Sequence, residues 1–332
     1  MGWFSPWTVI IDGVNKTSLL GPICTNISVQ DKEGVASDTA SITMDDSYGR
    51  GILPRDKSEV KILIYGSLVF EGVVDKVRSK GNRSSGRSIH VSAKSFDVKG
   101  KAKDGQRWHK DDATLEEALK KSAEKAGFEI KVDEDLGKIK RDYWNPNGAS
   151  FIAFAQGLAK ELNATFKVRG KKSVFAARNK DLLPPLTAEY GKNLHDWDIS
   201  PITARAKHKT AKARYFDRKK ATWETVEKDI GSERAESTNM IRSSIADKDQ
   251  AEQNLEARKG EAERGGGEGT ITIELNPLAQ PETPIVLIGT RPGVDGNYKA
   301  VDVAHQGTRS GSSTKIQIKH PSGDAGKDSR RK

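Results

Sequence analysis

Histidine, cysteine and carboxylate side chains carry most catalysis and metal binding, so their spacing gives the first clue to function. His195, Asp196 and Asp198 form the only tight group of this kind, and such ligands are able to hold a cation. No two histidines stand at helical spacing with a glutamate, so the zinc-protease signature is absent. We interpret the His195 group as an exposed turn rather than a metal site.

Other catalytic signatures are also missing from the sequence. The glycine-rich run 265–269 lacks the Lys-Ser/Thr of a phosphate loop, and it follows a predicted helix instead of preceding one. Cys24 is the only cysteine, which excludes an intrachain disulfide and a cysteine-rich zinc site. The acidic pair 45–46 is interpreted as a strand-ending turn and the pair 111–112 as the approach to a helix. We therefore predict no catalytic residue, cofactor or metal, although glycosidase carboxylates can lie far apart in sequence.

The composition indicates thin domains that gain burial by assembly. The chain has 332 residues, of which 35% are hydrophobic and 31% are charged. Globular chains usually hold about 45–50% apolar residues, glycine included. The length leaves room for roughly two or three domains. Domains with so little apolar sequence often complete their burial against copies or partners.

The net charge of +10 makes a nucleic-acid-binding protein one alternative. The densest basic run contains Lys207, Lys209, Lys212, Arg214, Arg218, Lys219 and Lys220. Tyr215 and Phe216 are its only aromatic residues, and acids are interleaved with bases along the chain. We therefore favour a solvated or protein-facing surface over specific nucleic-acid binding. The basic segment 321–332 is predicted to be a flexible tail.

The first eleven residues lack the basic region of a signal peptide, and no apolar run reaches the length of a membrane span. We expect synthesis in the cytosol and no membrane partner.

Hydrophobic spacing divides the chain into three domains. Residues 1–105 predict a β-barrel or sandwich, with strands at 41–44, 60–64, 68–77 and 88–93 separated by polar turns. Residues 106–190 predict a small α/β domain. In it a capping box joins Thr114 to Glu117, a helix ends at Gly127, a second helix spans 151–162, and a hairpin spans 165–176.

The third predicted domain, 191–320, is a second β-barrel with a polar helix at 247–264. Leu255 is almost the only large apolar residue of this helix, so we expect it to lie on the surface or to bind a partner. Strands are predicted at 271–275, 285–288, 297–303 and 315–319.

A weak internal repeat links the first and third domains. The strand 60–64 leads through two glycines into 73–77, and a Gly/Arg/Ser-rich turn then enters the alternating strand 88–94. The strand 285–288 leads in the same way into 300–303, and a second such turn enters 315–319. Chance convergence of hairpin chemistry is one explanation. Duplication is the other, and it predicts two similar β modules in one chain.

Arg291, Pro292, Gly293, Asp295 and Gly296 form an R-P-G-x-x-G segment that is followed by 297–303. This part of the chain resembles the closing segment of the late control D family of phage tail proteins. The segments 112–127 and 151–178 resemble its central helix and its helix–hairpin unit, and the N-terminal part fits more loosely. One departure is at 145–150, where the family commonly carries Q-x-x-E-S-D. Ser150 is still able to cap the helix there.

This resemblance implies a structural role at the baseplate of a contractile tail. Family members are similar to the baseplate hub and to the base of the type VI secretion spike. Two barrel-like domains per subunit form a homotrimeric ring with pseudo-sixfold symmetry, which joins the tail tube to the central spike. The implied partners are the spike protein, the tube or tube-initiator protein, the tape-measure protein and baseplate wedge proteins. A tail-associated cell-wall hydrolase is a further alternative.

Overall fold

Strands dominate the architecture. The computed structural model describes residues 3–34, 36–49, 51–84, 86–96, 101–178, 183–203, 208–230 and 237–330. Strands hold 50% of the chain and helices 17%, which confirms the predicted β-rich α+β class. The buried apolar residues fall into separate clusters, one for each part of the chain described below.

The N-terminal part, here called the first module, is an antiparallel β-sheet with one short helix. Val60, Ile62 and Ile64 alternate with less buried residues, so one face of the sheet covers a core around Trp7 and Phe70. Its elements are β1 (Trp7–Ile11), β2 (Val14–Asn15), α1 (Thr17–Leu20), β3 (Cys24–Lys32), β4 (Thr39–Asp45), β5 (Glu59–Ile64), β6 (Ser67–Asn82) and β7 (Gly86–Lys94).

The middle part packs two main helices against small sheets. Thr114 caps the helix α2 through the predicted capping box with Glu117, and Gly127 ends the helix in the left-handed conformation. Ser150 caps α4 by accepting a hydrogen bond from the amide of Ala153. The elements are β8 (Lys110–Thr114), α2 (Leu115–Ala126), β9 (Glu129–Val132), α3 (Glu134–Gly137), β10 (Lys140–Trp144), α4 (Phe151–Glu161), β11 (Ala164–Arg169) and β12 (Lys172–Ala177), after a 3-10 turn at Lys101–Lys103.

The C-terminal part, here called the second module, is again a β-sheet. Its core is built on the buried side chains of Ile271, Tyr298 and Ile316. Its strands are β13 (Leu186–Glu189), β14 (Leu194–Ser200), β18 (Glu268–Glu274), β19 (Pro284–Ile288), β20 (Gly296–Thr308) and β21 (Gly311–Ser322). The strand β13 lies within the segment that the sequence assigned to the α/β domain, and β21 extends past residue 320, so both predicted boundaries shift.

The two modules share one strand order. The first reads β3–β4–β7–β6–β5–β1 across the sheet, and the second reads β14–β18–β21–β20–β19–β13. Equivalent strands also follow each other in the same order along the chain. One difference is that β1 runs antiparallel to β5, whereas β13 runs parallel to β19. The repeat predicted from three strands therefore extends to six.

The registers of the two modules also correspond. Seven residue pairs join β4 to β7, and seven join β18 to β21. In β6 the pairing with β7 shifts at Asp75, and in β20 the pairing with β21 shifts at the equivalent Val301. A second matching shift falls at Thr25 in β3 and at His195 in β14. Bulges are specific features of a sheet, so their coincidence supports duplication over chance.

An insertion separates β14 from β18 and has its own core. It comprises β15 (Thr210–Asp217), β16 (Thr222–Asp229), β17 (Thr238–Ile245) and α5 (Lys248–Arg264). The polar helix predicted at 247–264 is α5, and four of its 17 residues are buried. Leu255 and Ala251 are fully buried against the sheet of β15, because small residues let the helix approach the strands closely.

Replacement of Gly72 tests the packing of the first module. A Cβ at this position would lie 2.0 Å from the carbonyl oxygen of Lys94, which neither strand can relieve without moving. We expect Gly72→Ala to cost about 3 kcal/mol in the free energy of unfolding. The control is Gly157→Ala in α4, where no atom lies within 4 Å, and where alanine should add about 0.5–1 kcal/mol. Equal stability of the two variants in denaturant titrations would contradict the described packing.

Candidate assembly interfaces

The His195 group lies in the strand β14 and not in the predicted turn. Asp196 and Asp198 are exposed on one side of the strand, and His195 occupies the bulge before them. Successive side chains of a strand point to opposite faces, which separates ligands that are adjacent in sequence. Within the described ranges, no three His, Cys, Asp or Glu residues come close enough to hold a metal ion.

Cys24 lies in β3 with its thiol buried. Burial raises the pKa of the Cys24 thiol to about 11, and the backbone of Asn26 opposes the rise only in part. A thiol held in its neutral form is a poor nucleophile. Cys24 therefore serves packing.

The turn that carries the family resemblance is held by the carboxylate of Asp295. Backbone amides of Gly289, Thr290 and Arg291 donate to it at 2.8–3.3 Å, and so does the hydroxyl of Thr290. Burial opposes ionisation, yet these hydrogen bonds outweigh it and lower the pKa of Asp295. Pro292 follows Arg291 in the same turn. The turn thus fixes the connection between β19 and β20.

The C-terminal segment packs against this turn. Gly293 has φ +84°, and its carbonyl oxygen accepts a hydrogen bond from the amide of Gly326 at 2.8 Å. A Cβ at Gly296, where φ is +149°, would lie 2.6 Å from the backbone nitrogen of Ala325. Glycine is required at both positions. Residues 321–330 of the predicted tail are thus held in part, while residues 331 and 332 lie outside the described residues.

The two modules are joined by backbone pairing between β3 and β20, here called the internal junction. Seven residue pairs connect them, from Asp302 opposite Lys32 to Thr308 opposite Asn26. Gly307 stands opposite Ile27, and a Cβ on it would lie 2.9 Å from the Ile27 side chain. The strands β3 and β20 therefore approach each other closely at Gly307, because this residue has no side chain.

His305 is buried within the internal junction. Its Nδ1 lies 3.0 Å from the hydroxyl oxygen of Thr314, and burial lowers its pKa to about 4. The ring is thus neutral at physiological pH.

An ion network ties the middle part to both modules. The Arg178 guanidinium lies 3.1 Å from the Glu33 carboxylate of the first module and 3.7 Å from the Glu282 carboxylate of the second. Lys299 of β20 donates to the backbone carbonyl of Arg178 at 3.1 Å. All three charged side chains of the Arg178 group are largely buried, so each depends on the others for compensation.

A second network anchors β11 to the first module. The Lys167 ammonium binds Asp31, and it lies 3.0 Å from Asp38. Burial, together with the nearby Asp31 charge, raises the pKa of Asp38 to about 7 even though Lys167 opposes the rise. Both networks hold the middle part in place beside the internal junction.

Much of the predicted basic run is neutralised by acids of the chain. Lys212 pairs with Glu227 at 3.0 Å, and Lys220 pairs with Glu224 at 2.6 Å. The Arg214 guanidinium stacks over the Trp223 ring. Lys207, also in this run, lies outside the described residues. Cations already paired with carboxylates are less available to phosphates, which weakens the nucleic-acid alternative.

In the sheet shared by the two modules, strand edges without a described partner occur at β2, β13 and β14 and along the later part of β6. The strand β14 pairs with β18 on one side only. The strand β6 pairs with β5 only as far as Val73, and from residue 76 onward it pairs with β7 alone. We call residues 76–82 of β6 the distal edge. The edges of β14 and β6 were not predicted from the sequence and neither was β3, although Ile27 and Val29, like Trp197 and Ile199, alternate with polar residues.

An apolar cleft of about 200 Å³ opens on the first module beside α1. Lys16 is the one charged residue among its lining side chains, which include Leu19, Ile52 and Leu53. Such a lining provides no acid–base pair. Across the described residues, no helix combines the length and apolarity that a membrane crossing requires.

The whole arrangement has the fold of tail proteins. The 43 kDa tail protein of prophage MuSo2 from Shewanella oneidensis superposes with a TM-score of 0.72 at 12% identity, covering 94% of this chain and 97% of its own. A tail protein from Neisseria meningitidis MC58 gives 0.72 at 14% identity, with coverage of 95% and 96%. The E. coli c3393 protein, a component of the type VI secretion system, gives 0.58 at 10% identity, with coverage of 92% and 76%.

No family model and no curated protein matches the sequence. The likeness at these identities establishes the fold, and membership of the late control D family stays a proposal.

Removal of Arg178 tests the network between the modules. Arg178→Ala leaves the Glu33 and Glu282 carboxylates buried without their main cation, and we expect a loss of about 3 kcal/mol in unfolding free energy. The triple variant Glu33→Gln, Arg178→Met, Glu282→Gln should recover most of this loss. The control is Arg218→Ala, which breaks an exposed pair with Asp142 and should cost less than about 0.5 kcal/mol. A similar loss in both single variants would refute the network's role.

Acid should weaken the internal junction through His305. The folded-state pKa is about 4, whereas an unfolded histidine titrates near 6.5. As the pH falls through this window the unfolded chain takes up a proton that the folded chain does not, so stability falls, by about 3 kcal/mol between pH 7 and pH 4. In denaturant titrations across this range, the free energy of unfolding of His305→Gln should fall less from its value at pH 7 than that of the parent chain does. The exposed His195→Gln should keep the parental slope.

Proposed function

We propose that this chain is a structural baseplate hub subunit of a phage or phage-like contractile tail, of the late control D type. Three copies form a pseudo-sixfold ring that joins the tail tube to the central spike. The observation that carries the proposal is the duplicated module, with the same strand order and matching bulges in both halves. A chain with two equivalent modules presents six similar units when it assembles as a trimer.

The fold likeness supports this role from a second direction. Tail proteins from two bacteria cover nearly the whole chain, so the shared fold includes the middle part as well as the modules. The E. coli neighbour is named for structural similarity to phage T4 tail proteins, and a Francisella neighbour was solved as a PdpA–VgrG complex. The partners proposed here are the spike protein and the tube or tube-initiator protein, with the tape-measure and wedge proteins beyond them. The proposed location is the virion baseplate, after synthesis in the host bacterial cytoplasm.

The hub acts by geometry and binding, without catalysis or a cofactor. The buried ionisable groups near the modules, such as Glu33, Arg178 and Glu282, pair with each other between parts of the chain. Such pairing favours a positioning role over proton transfer. Large interfaces and rigid modules suit a ring that must survive contraction of the surrounding sheath.

The test is the mass of the purified chain, alone and mixed with a candidate spike protein, measured by native mass spectrometry and followed by electron microscopy. We expect a trimer, or a trimer that forms when the spike is present, and closed rings in the images. A chain that stays monomeric in both samples and lyses peptidoglycan would instead be a hydrolase. A monomer that binds duplex DNA at physiological salt would instead support the nucleic-acid alternative. Either result overturns the hub.

A further inference from the structure

The internal junction supplies a pattern for a second junction that one chain cannot complete by itself. In the internal junction, β20 of the second module pairs with β3 of the first. The equivalent of β20 in the first module is β6, and the equivalent of β3 in the second module is β14. Both of these strands have an outer edge without a described partner, and the other such strands of this sheet, β2 and β13, are equivalent to neither strand of the internal junction. The free edge of β6 is therefore suited to pair with a strand like β14, and the free edge of β14 with a strand like β6.

We propose that the β14 edge of one copy pairs antiparallel with the distal edge of β6 in the next copy, in the register of the internal junction. This inference rests on the proposed ring and names its contact. Head-to-tail pairing of this kind links each copy to two neighbours and generates a closed ring. It also covers edges that would otherwise invite uncontrolled strand addition.

The register follows from residue equivalences. Bulges and ladder pairs make Ser28 equivalent to Asp198 and Gln306 equivalent to Lys80. Gln306 stands opposite Ser28 in the internal junction, so Lys80 stands opposite Asp198 of the next copy. The same shift places Arg78 opposite Ser200 and Asn82 opposite Asp196.

The charges on the two edges are complementary in this register. Lys76, Arg78 and Lys80 lie on one face of β6, and none has an ion-pair partner among the described residues. Asp196 and Asp198 lie exposed on β14, also without an ion pair in the described part of the chain. Cross-strand pairs of opposite charge stabilise a sheet, and like charges destabilise it. At the position equivalent to Lys80 and Asp198, the internal junction pairs the uncharged residues Gln306 and Ser28.

Burial and the charges of Lys80 and Arg78 together lower the pKa of His90 on the adjacent strand β7. The lowering through Lys80 and Arg78 is consistent with cations that remain uncompensated within one chain.

Glycine at position 81 is a second, independent indication. Its equivalent in the internal junction is Gly307, where a Cβ would lie 2.7 Å from the Trp7 ring and 2.9 Å from the Ile27 side chain of the facing strand. The residue equivalent to Ile27 is Trp197, which is larger. Within one chain Gly81 has no need to be glycine, because a Cβ there would lie 3.5 Å from Arg87, an ordinary contact. The proposed junction explains why this residue is glycine, because Gly81 stands opposite the large side chain of Trp197 of the next copy.

Charge reversal tests the contact. Lys80→Asp and Asp198→Lys should each weaken assembly at least roughly tenfold, because like charges then face each other at every copy-to-copy junction. The double variant restores opposite charges and should return to within about threefold of the parent. The control is Lys131→Asp on β9, an exposed strand cation away from both edges, which should leave assembly unchanged. Dissociation constants come from sedimentation of the full chain, with circular dichroism to verify folding.

A cysteine pair tests the register. In the full chain, Lys80→Cys with Asp198→Cys places two thiols directly opposite, within the Cα separation that a disulfide spans. Oxidation should give covalent dimers and trimers on denaturing gels. The background is low because the native Cys24 is buried. The control pair Lys131→Cys with Asp198→Cys should stay monomeric under the same conditions.

The outcomes separate this inference from the proposed function. Rings that form in the parent while the cysteine pair yields no linked species, or charge variants that assemble normally, would overturn the strand pairing and leave the hub intact. A parent chain that never assembles, alone or with the spike, would overturn both. Rescue by the double charge variant together with specific cross-linking supports the pairing.

Discussion

Backbone hydrogen bonding across strand edges is the constraint on which the whole molecule depends. A strand that ends a sheet leaves amide and carbonyl groups without partners, and these groups are costly to bury and hazardous to expose. The chain resolves part of this problem internally, because β20 continues past β19 and pairs with β3. The long strand thus belongs to two modules at once. Its position makes one continuous sheet out of two similar units.

The side chains around this sheet position the modules more than they hold them together. Arg178 and Lys167 reach from the middle part to carboxylates on the modules, and most of these charges are shielded from water. A buried ion pair contributes little net stability, but it penalises arrangements that leave one charge alone. The networks therefore favour one placement of the middle part against the sheet. His305 and Thr314 add a polar contact inside the sheet itself.

Local signals in the sequence were enough for the helices, the caps and the later hairpins. The signals that begin or end a helix involve neighbouring residues only, as in the capping box of Thr114 and Glu117, the C-cap Gly127 and the N-cap Ser150. The structure contains each of these caps as predicted. Pairings between distant segments were not accessible in this way. Nothing near Ile27 or Val29 reveals that β20 lies beside them, nor does Leu255 alone reveal the sheet that buries it. The internal repeat could be detected because two segments of the same sequence can be compared with each other. It predicted the two similar modules but not which of their strand edges are free.

The insertion between β14 and β18 occurs in one module and has no counterpart between β3 and β4. Any assembly that treats the two modules as interchangeable around an axis would therefore carry this extra sheet and helix at every other position. Its core is separate from that of the module, so it decorates the sheet without altering the strand order. The two modules can thus bind a neighbour of higher symmetry as near-equal units. The insertion, present in every other unit, can be recognised by a neighbour of lower symmetry.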